Sequence, residues 1–188
     1  MGRWFWSFCW SPPSLINTPL NERRYFVARR VFFSFHYQND VWRANQIRNA
    51  HIVDGTAAAG FQDASLWEEA KKKGDAAIKA LINKGLEGTT VTAVLIGSET
   101  ASRTYVKYEI DQSIARGNGL VGIYIHNLKD RDEYTAVKGA NPFDRLYFER
   151  DGRQIYLSSI YSTYDWVYDD GYNNFATWVE TAAKKAGQ

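Results

Sequence analysis

Short apolar runs alternate along this chain with segments that have helical spacing. Three runs rich in β-branched and aromatic residues lie at 30–35, 90–98 and 120–127. Four segments in which apolar residues recur every three or four positions lie at 40–50, 75–85, 102–116 and 172–185. The runs are typical of parallel strands covered on both faces, and the other segments are typical of amphipathic helices. The pattern therefore predicts an α/β fold, an open parallel sheet with right-handed crossovers and helices on both faces.

Polar residues and glycines indicate where these elements begin and end. Asp40 and Asp75 are predicted to cap the first two of the four helices, and Gly85 to end the second. A short strand is expected near Phe61, in a Gly- and Ala-rich segment that precedes a charged helix. The last third of the chain predicts further strands or loops before the final helix.

In an open parallel sheet, ligands bind beyond the carboxyl ends of the strands. The residues at the carboxyl ends of the three predicted strands are Ser34, Phe35, His36, Gly97, Ser98, His126 and Asn127. The sequence therefore predicts a ligand-binding cleft beside these residues.

A carboxylate interrupts the apolar face of the helix at 102–116. Tyr105 and Glu109 are four residues apart and so share one side of this helix, next to a predicted buried stripe of Val106, Ile110 and Ile114. Glu109 is therefore expected at the margin between core and cleft, partly desolvated and with a raised pKa. Such a carboxylate can accept hydrogen bonds from sugar hydroxyls or stabilise developing positive charge.

A structural role for Glu109 is the alternative. A glutamate at the boundary of a core commonly pairs with a nearby cation, and the candidates on this helix are Lys107, Arg103 and Arg116. Spacing alone leaves both interpretations open.

Charge and cysteine content limit the classes of partner. The 23 Lys and Arg residues nearly balance the 21 Asp and Glu residues, so no broad field favours nucleic acid or an anionic membrane surface. The basic run at 71–73 is interpreted as the solvated face of a helix.

A single cysteine, Cys9, excludes an internal disulfide and fits a reducing, cytoplasmic location. The three histidines lack metal-ligand spacing, so no metal site is predicted.

Several catalytic motifs are absent or out of context. The G-x-G-x-x-G match at 117–122 follows a helix and enters a strand, the reverse of a dinucleotide-binding motif, and no P-loop motif is present. The acidic residues of a phosphoryl-accepting receiver domain do not follow the predicted strands. Ser98 lacks the G-x-S-x-G context of a hydrolase nucleophile.

The first 26 residues differ from the rest of the chain. Their apolar stretch at 4–10 is too short to span a bilayer, and the S-P-P-S that follows is no signal-peptide cleavage site. We interpret residues 1–26 as a disordered tail, or as upstream sequence ahead of a true start at Val27. Residues 27–188 are predicted to form a single domain.

Seven motifs, in order along the chain, carry a resemblance to a known family. They are RRVFFSFHY, DASLWEEAKK, TVTAVLIGSET, YVKYEIDQSIARGN, LVGIYIHN, GANPFD and SSIYSTYDWVYDDGYNNFATWV. Over residues 27–180 the chain resembles the TIR-like family of bacteria and archaea, and most closely the TIR subunit (ThsB type) of the Thoeris anti-phage system. The resemblance implies a flavodoxin-like fold with an additional C-terminal segment and helix, which agrees with the sheet predicted from the hydrophobic pattern.

The resemblance also implies a set of site residues. In enzymatic TIR domains an aromatic residue followed four positions later by glutamate marks the NAD+-cleaving site, and Tyr105 and Glu109 match this pattern. Many TIR domains have Trp-Cys where this chain has Tyr105 and Val106. This chain therefore has the aromatic ring and the carboxylate of the pattern, but not its Trp-Cys pair. By this resemblance Glu109 is the catalytic residue, and the substrate-binding residues are Ser34, Phe35, His36, Asp63, Ser65, Trp67, Ser98 and Tyr105.

The activity implied by the resemblance is NAD+ nucleosidase and cyclase, with NAD+ as substrate and no cofactor. The chain is expected to release nicotinamide and to make a cyclic ADP-ribose-type signal that activates a separate effector protein of the defence system. An infection cue or self-association is expected to close the loop at 54–60 over the site. Two other interpretations stay open: a non-catalytic TIR interaction module, and a sensor that binds NAD+ without turnover.

Overall fold

A computed structural model describes residues 29–50, 58–59 and 64–188, with side chains at 29–50 and 66–188. The predicted tail at 1–26 lies outside these residues, as does most of the loop at 54–60. Seven strands are present in the described part: β1 Val31–Ser34, β2 Ala58–Ala59, β3 Val91–Ile96, β4 Gly119–Tyr124, β5 Tyr147–Arg150, β6 Arg153–Tyr156 and β7 Thr163–Asp165. The helices of the same part are α1 Tyr37–Asn49, α2 Ala64–Lys73, α3 Asp75–Leu86, α4 Thr104–Ala115 and α5 Gly171–Lys185.

Five of the strands form one parallel sheet in the order β2-β1-β3-β4-β7. This is the strand order of flavodoxin-like folds, in which ligands bind where the order reverses, between β1 and β3. Strands β5 and β6 form a separate antiparallel pair. The predicted flavodoxin-like α/β fold, with an added C-terminal segment and helix, is therefore confirmed.

Alternation along the strands decides which helix each residue contacts. In β3, Val91, Ala93 and Leu95 pack with residues of α1 and α5 on one face of the sheet. The alternate residues Val94 and Ile96 pack with α4 on the other face. Helices α2 and α3 cover β1 on that second face, around Phe32. The sheet is thus buried on both sides, which explains the near-continuous apolar strands.

The C-terminal helix α5 is bound to the sheet through aromatic contacts. Phe33 stacks on Phe175 with ring centroids 5.9 Å apart, and Tyr164 of β7 stacks on Trp178 at 4.3 Å with nearly parallel rings. These contacts place Phe33, Phe175 and Trp178 in the core, with Tyr164 packed against it. In the part of the chain that the structure describes, no helix has the length and apolar character needed to cross a membrane.

Three predicted helix boundaries are wrong. Helix α1 begins at Tyr37, directly after His36, so Asp40 lies within its first turn instead of capping it. Helix α3 begins at Asp75 with Gly74 in the capping position, because Gly74, at φ +96°, alone separates it from α2. That helix continues through Gly85 to Leu86.

Asp40 is buried instead of capping a helix. Its carboxyl group packs against Gly97, where a Cβ would overlap it, and Arg43 lies 3.8 Å away. Burial raises the pKa of Asp40 to about 6, and the charges of Arg43 and Arg103 oppose this rise. Asp40 therefore belongs to the packing between α1 and the end of β3.

Two further predictions differ from the structure in detail. The short strand expected near Phe61 lies earlier, at Ala58–Ala59, and Phe61 lies outside the described residues. Ile114, expected in the buried stripe of α4, is 37% exposed, and Ser113 is buried in its place. The Oγ of Ser113 lies 2.7 Å from the Oγ1 of Thr92 in β3, so this hydrogen bond satisfies two buried hydroxyls.

Candidate active site

A cavity of about 190 Å³ lies beyond the carboxyl end of β1, between α2 and α4. This is the position at which flavodoxin-like sheets bind ligands. Its walls combine aromatic rings with a few polar and charged groups. They are formed by Phe32, Phe33, Phe35, His36, Tyr37, Gln38, Trp67, Lys71, Ile82, Arg103, Tyr105, Val106 and Glu109.

Glu109 is the carboxylate of this cavity. It is 7% exposed, and its Oε2 accepts a hydrogen bond of 2.5 Å from the hydroxyl of Ser34. Ser34 lies two residues after Phe32 in β1, so both side chains point to the face of the sheet that α4 covers. A polar residue in an otherwise apolar strand therefore stands opposite the glutamate of the helix.

Burial controls the ionisation of Glu109. Desolvation raises its pKa from 4.5 to about 8, and the hydrogen bond from Ser34 opposes this rise. The structure therefore has the raised pKa that the spacing predicted. A cationic ligand in the cavity would stabilise the carboxylate and lower this pKa again.

The alternative partners of Glu109 lie elsewhere. Within the described residues, none of the three candidate cations forms an ion pair with it: Arg103 pairs with Glu99, Arg116 donates to Asn83, and the charge of Lys107 acts on Asp111. The structural role considered for Glu109, in which it pairs with a nearby cation of its own helix, is therefore not what this structure shows.

Aromatic rings form one side of the cavity. Trp67 of α2 meets Tyr105 of α4 edge to face at 5.9 Å, and Tyr37 stacks on Trp67 at 6.3 Å. Phe35 continues the series, 6.1 Å from Tyr37. Aromatic faces of this kind bind planar rings and cations, including nitrogen heterocycles that carry a positive charge.

His36 adds a polar group to the wall. Its side chain is 10% exposed, and its Nδ1 has no hydrogen-bond partner among the described residues. Burial lowers its pKa, and the positive charges of Arg103 and Lys71 lower it further. His36 is therefore neutral near pH 7.

The structure brings most of the predicted site residues together. Phe35, His36, Trp67, Tyr105 and Glu109 line the cavity, and Ser34 lies behind Glu109 without lining it. Ser98 is exposed and does not line the cavity. Asp63 and the side chain of Ser65 lie outside the described residues.

Four lining residues that carry polar groups were not predicted as site residues: Tyr37, Gln38, Lys71 and Arg103. Lys71 follows Trp67 by four residues, so the helical spacing that places the tryptophan in the wall also places the lysine there. The interpretation of Lys71 as part of a solvated face was therefore incomplete, since its side chain also borders the cavity.

The fold and this cavity define a TIR-like domain, a flavodoxin-like sheet with a glutamate of a helix buried beside aromatic rings at the sheet edge. Comparison with known families agrees, since residues 32–130 match the family described as Thoeris protein ThsB, TIR-like domain. The match covers just over half of the 188 residues. The chain belongs to the ThsB family of TIR-like domains.

A curated relative supports the same family. The chain is 44% identical over 191 aligned residues to the protein named "Putative cyclic ADP-D-ribose synthase ThsB1" from Bacillus cereus (strain MSX-D12). The alignment covers 81% of this chain and 100% of the relative.

Proposed function

We propose that this protein cleaves the bond between nicotinamide and ribose in NAD+ and makes a cyclic ADP-ribose-type signal for anti-phage defence. The observation that carries the proposal is Glu109, a buried carboxylate held by Ser34 in an aromatic cavity at the ligand-binding edge of the sheet. The name of the B. cereus relative, a cyclic ADP-D-ribose synthase, supports the product.

The reaction needs stabilisation of positive charge more than it needs an acid. When the C–N bond breaks, its electron pair goes to the nicotinamide ring, which leaves as a neutral molecule, so no proton has to be supplied to it. The ribose is left with oxocarbenium character, which the carboxylate of Glu109 stabilises electrostatically while it holds the ribose hydroxyls. NAD+ is the substrate, and the proposal requires no further cofactor.

The second step decides the product. A hydroxyl group of the same ADP-ribose molecule attacks the anomeric carbon and loses its proton to solvent, which closes a ring and gives a cyclic isomer. Attack by water instead gives linear ADP-ribose. The aromatic walls favour the cyclic product, because they exclude water from the reacting carbon.

The cavity fits one part of the dinucleotide. Its volume of about 190 Å³ is below the roughly 300–1,000 Å³ of pockets that enclose whole drug-sized ligands. Nicotinamide and its ribose would occupy the space between Glu109 and the rings of Tyr105 and Trp67, and the remainder of NAD+ would extend outward.

The biological setting follows from the family. A diffusible nucleotide would carry the signal to a separate effector protein in the cytoplasm, where NAD+ is abundant. An infection cue or self-association would regulate turnover by completing the site.

Extracts of phage-infected cells that express the chain test this proposal, because they contain any activating cue. NAD+ labelled in its nicotinamide ring is added, and labelled nicotinamide and the adenine-containing product are quantified by mass spectrometry. Glu109→Gln is expected to reduce nicotinamide release by roughly 100-fold or more, the effect of removing a preorganised electrostatic stabiliser. Asp111→Asn is the matched control, since it removes a carboxylate from an exposed position of the same helix.

Two outcomes would contradict the proposal. Equal release by wild type and Glu109→Gln would make the glutamate structural and favour an interaction module. Thermal stabilisation by NAD+ without released nicotinamide in any extract would favour a sensor.

A further inference from the structure

The polar part of the cavity wall carries positive charge. Lys71 of α2 and Arg103, which immediately precedes α4, approach the cavity from two different helices. Helix α4 begins without a capping side chain and without an acidic residue in its first turn. The positive end of its dipole therefore adds to the two side chains on this side of the cavity.

The ion pairs that Arg103 and Lys71 form are weak. Arg103 pairs with Glu99, which is 49% exposed, and Lys71 pairs with Glu68 at 2.9 Å, which is 57% exposed. Ion pairs between exposed groups contribute little stability. The Nε of Arg103 is buried and has no hydrogen-bond partner in the described part of the chain. An anion that accepted from this N–H would satisfy a buried donor.

The charges of Arg103 and Lys71 act on the same part of the cavity wall, the ring of His36. The buried ring of His36 lies in the cavity wall, and the charges of Arg103 and Lys71 both reach it. A neutral His36 with an unpartnered nitrogen adds a hydrogen-bonding group between them. Among the lining residues that the structure describes, Glu109 supplies the only carboxylate. The wall thus offers two cations and a neutral imidazole beside the carboxylate.

We infer that Arg103 and Lys71 form a subsite for the phosphate groups of the substrate. The inference rests on the proposed function and identifies how that function would position its substrate. In NAD+ the pyrophosphate is joined to the ribose that carries nicotinamide, so a ribose held at Glu109 places the phosphates within reach of these side chains. Guanidinium and ammonium groups are the usual donors to phosphate oxygens.

Two small probes separate the phosphate from the rest of the substrate. Nicotinamide riboside and nicotinamide mononucleotide both contain the bond to be broken, and only the mononucleotide has a phosphate. Their dissociation constants are measured by calorimetry with the full chain carrying Arg103→Gln, Lys71→Gln or both. Arg131→Gln and Lys72→Gln are the matched controls, because each removes the same charge from an exposed position that does not line the cavity.

The wild type and both controls are expected to bind the mononucleotide at least about tenfold more tightly than the riboside, since charge-assisted hydrogen bonds are among the strong ones. Each cavity variant should lose about tenfold in affinity for the mononucleotide, and the double variant should lose the preference. Affinity for the cationic riboside should be unchanged or improved, since two repelling charges are removed. Arg103→Lys keeps the charge and should retain most of the preference, which separates loss of charge from loss of folding.

An unchanged preference in Arg103→Gln and Lys71→Gln would overturn the subsite even if Glu109→Gln abolishes NAD+ cleavage. A wild type that binds both probes equally would overturn it as well. Loss of the preference together with undiminished NAD+ cleavage by Glu109→Gln would support the subsite and contradict the proposed role of Glu109.

Discussion

At the scale of single residues, the chemical character of Glu109 comes from where it is buried. The same side chain on a solvated helix face would ionise near pH 4.5, and desolvation raises its pKa to about 8. The apoprotein near neutral pH therefore holds Glu109 largely protonated. Binding of the positively charged nicotinamide group of NAD+ would favour the carboxylate, so substrate binding and ionisation of Glu109 are coupled.

Glu109→Gln should change the pH dependence of stability. Between about pH 4.5 and 8 the unfolded chain has lost the proton of Glu109 and the folded chain keeps it, so rising pH stabilises the unfolded state. Wild type should lose stability relative to Glu109→Gln across this window, and the difference should level off above pH 8. Its size is on the order of 5 kcal/mol, since the pKa rises from 4.5 to about 8 and one pKa unit corresponds to about 1.4 kcal/mol.

Urea unfolding of both proteins from pH 4 to 9 measures this difference as a free energy. Glu149→Gln, which changes an exposed glutamate of β5, is the control and should follow wild type at every pH. If the difference in unfolding free energy between wild type and Glu109→Gln does not vary with pH, burial does not raise the pKa of Glu109.

The residues predicted from sequence show where spacing is informative. Tyr105 and Glu109 could be placed on one side of a helix because they are four residues apart, and both line the cavity. Lys71 could have been placed on the same helix side as Trp67, four residues before it, whereas the position of Arg103 depends on how α4 packs around β1. Ser34 and Ser98 both lie near the carboxyl end of a strand, yet Ser34 is buried and Ser98 is exposed. A position near a strand end therefore does not by itself predict that a side chain faces the cavity.

At the scale of elements, β1 and α4 meet through a buried polar contact. The Ser34 hydroxyl to Glu109 carboxylate bond joins residues 75 positions apart in the chain. A second contact of similar kind joins β3 to α4 through Thr92 and Ser113. The two hydroxyl contacts fix the same helix on neighbouring strands, and only the first involves the cavity.

Ser34→Ala should impair turnover as well as stability. Removing the hydroxyl takes away the group that lowers the pKa of Glu109, so less carboxylate forms at neutral pH and its orientation is lost. NAD+ cleavage should fall roughly tenfold, the equivalent of a hydrogen bond to a charged group, and should recover in part at higher pH. Steady-state assays of nicotinamide release between pH 6 and 9 measure both effects.

Thr92→Val is the matched control for this prediction, because it removes a buried hydroxyl between the same helix and the adjacent strand. Both variants should lose about 1 kcal/mol of unfolding free energy, and Thr92→Val should keep its turnover. Equal loss of turnover in the two variants would assign Ser34 a structural role only.

Element boundaries were less predictable than the elements. Asp40 has a residue type that favours capping, yet the chain enters α1 three residues earlier and packs its carboxyl group against Gly97. Gly85 has the residue type that ends helices, yet α3 continues past it. In each case packing against the sheet outweighed the local preference, which is about 1 kcal/mol per residue.

At the scale of the whole molecule, the strand order determines where the cavity lies. The order β2-β1-β3-β4-β7 reverses between β1 and β3, and the cavity with Glu109 lies beyond the end of β1. The fold class could be predicted from alternating periodicities because these depend on the chain alone. The volume and charge of the cavity depend on the packing of four separate helices, so predicting them required the structure.

The central claim is that Glu109 enables this protein to make a nucleotide signal from NAD+. The most direct test measures nucleotides by mass spectrometry in cells that carry this gene together with the effector that the proposed function requires, with and without phage, for wild type and Glu109→Gln. We expect a cyclic ADP-ribose isomer to form on infection, and the cells to be protected, with wild type only. Equal protection by both proteins, with no new nucleotide, would contradict it.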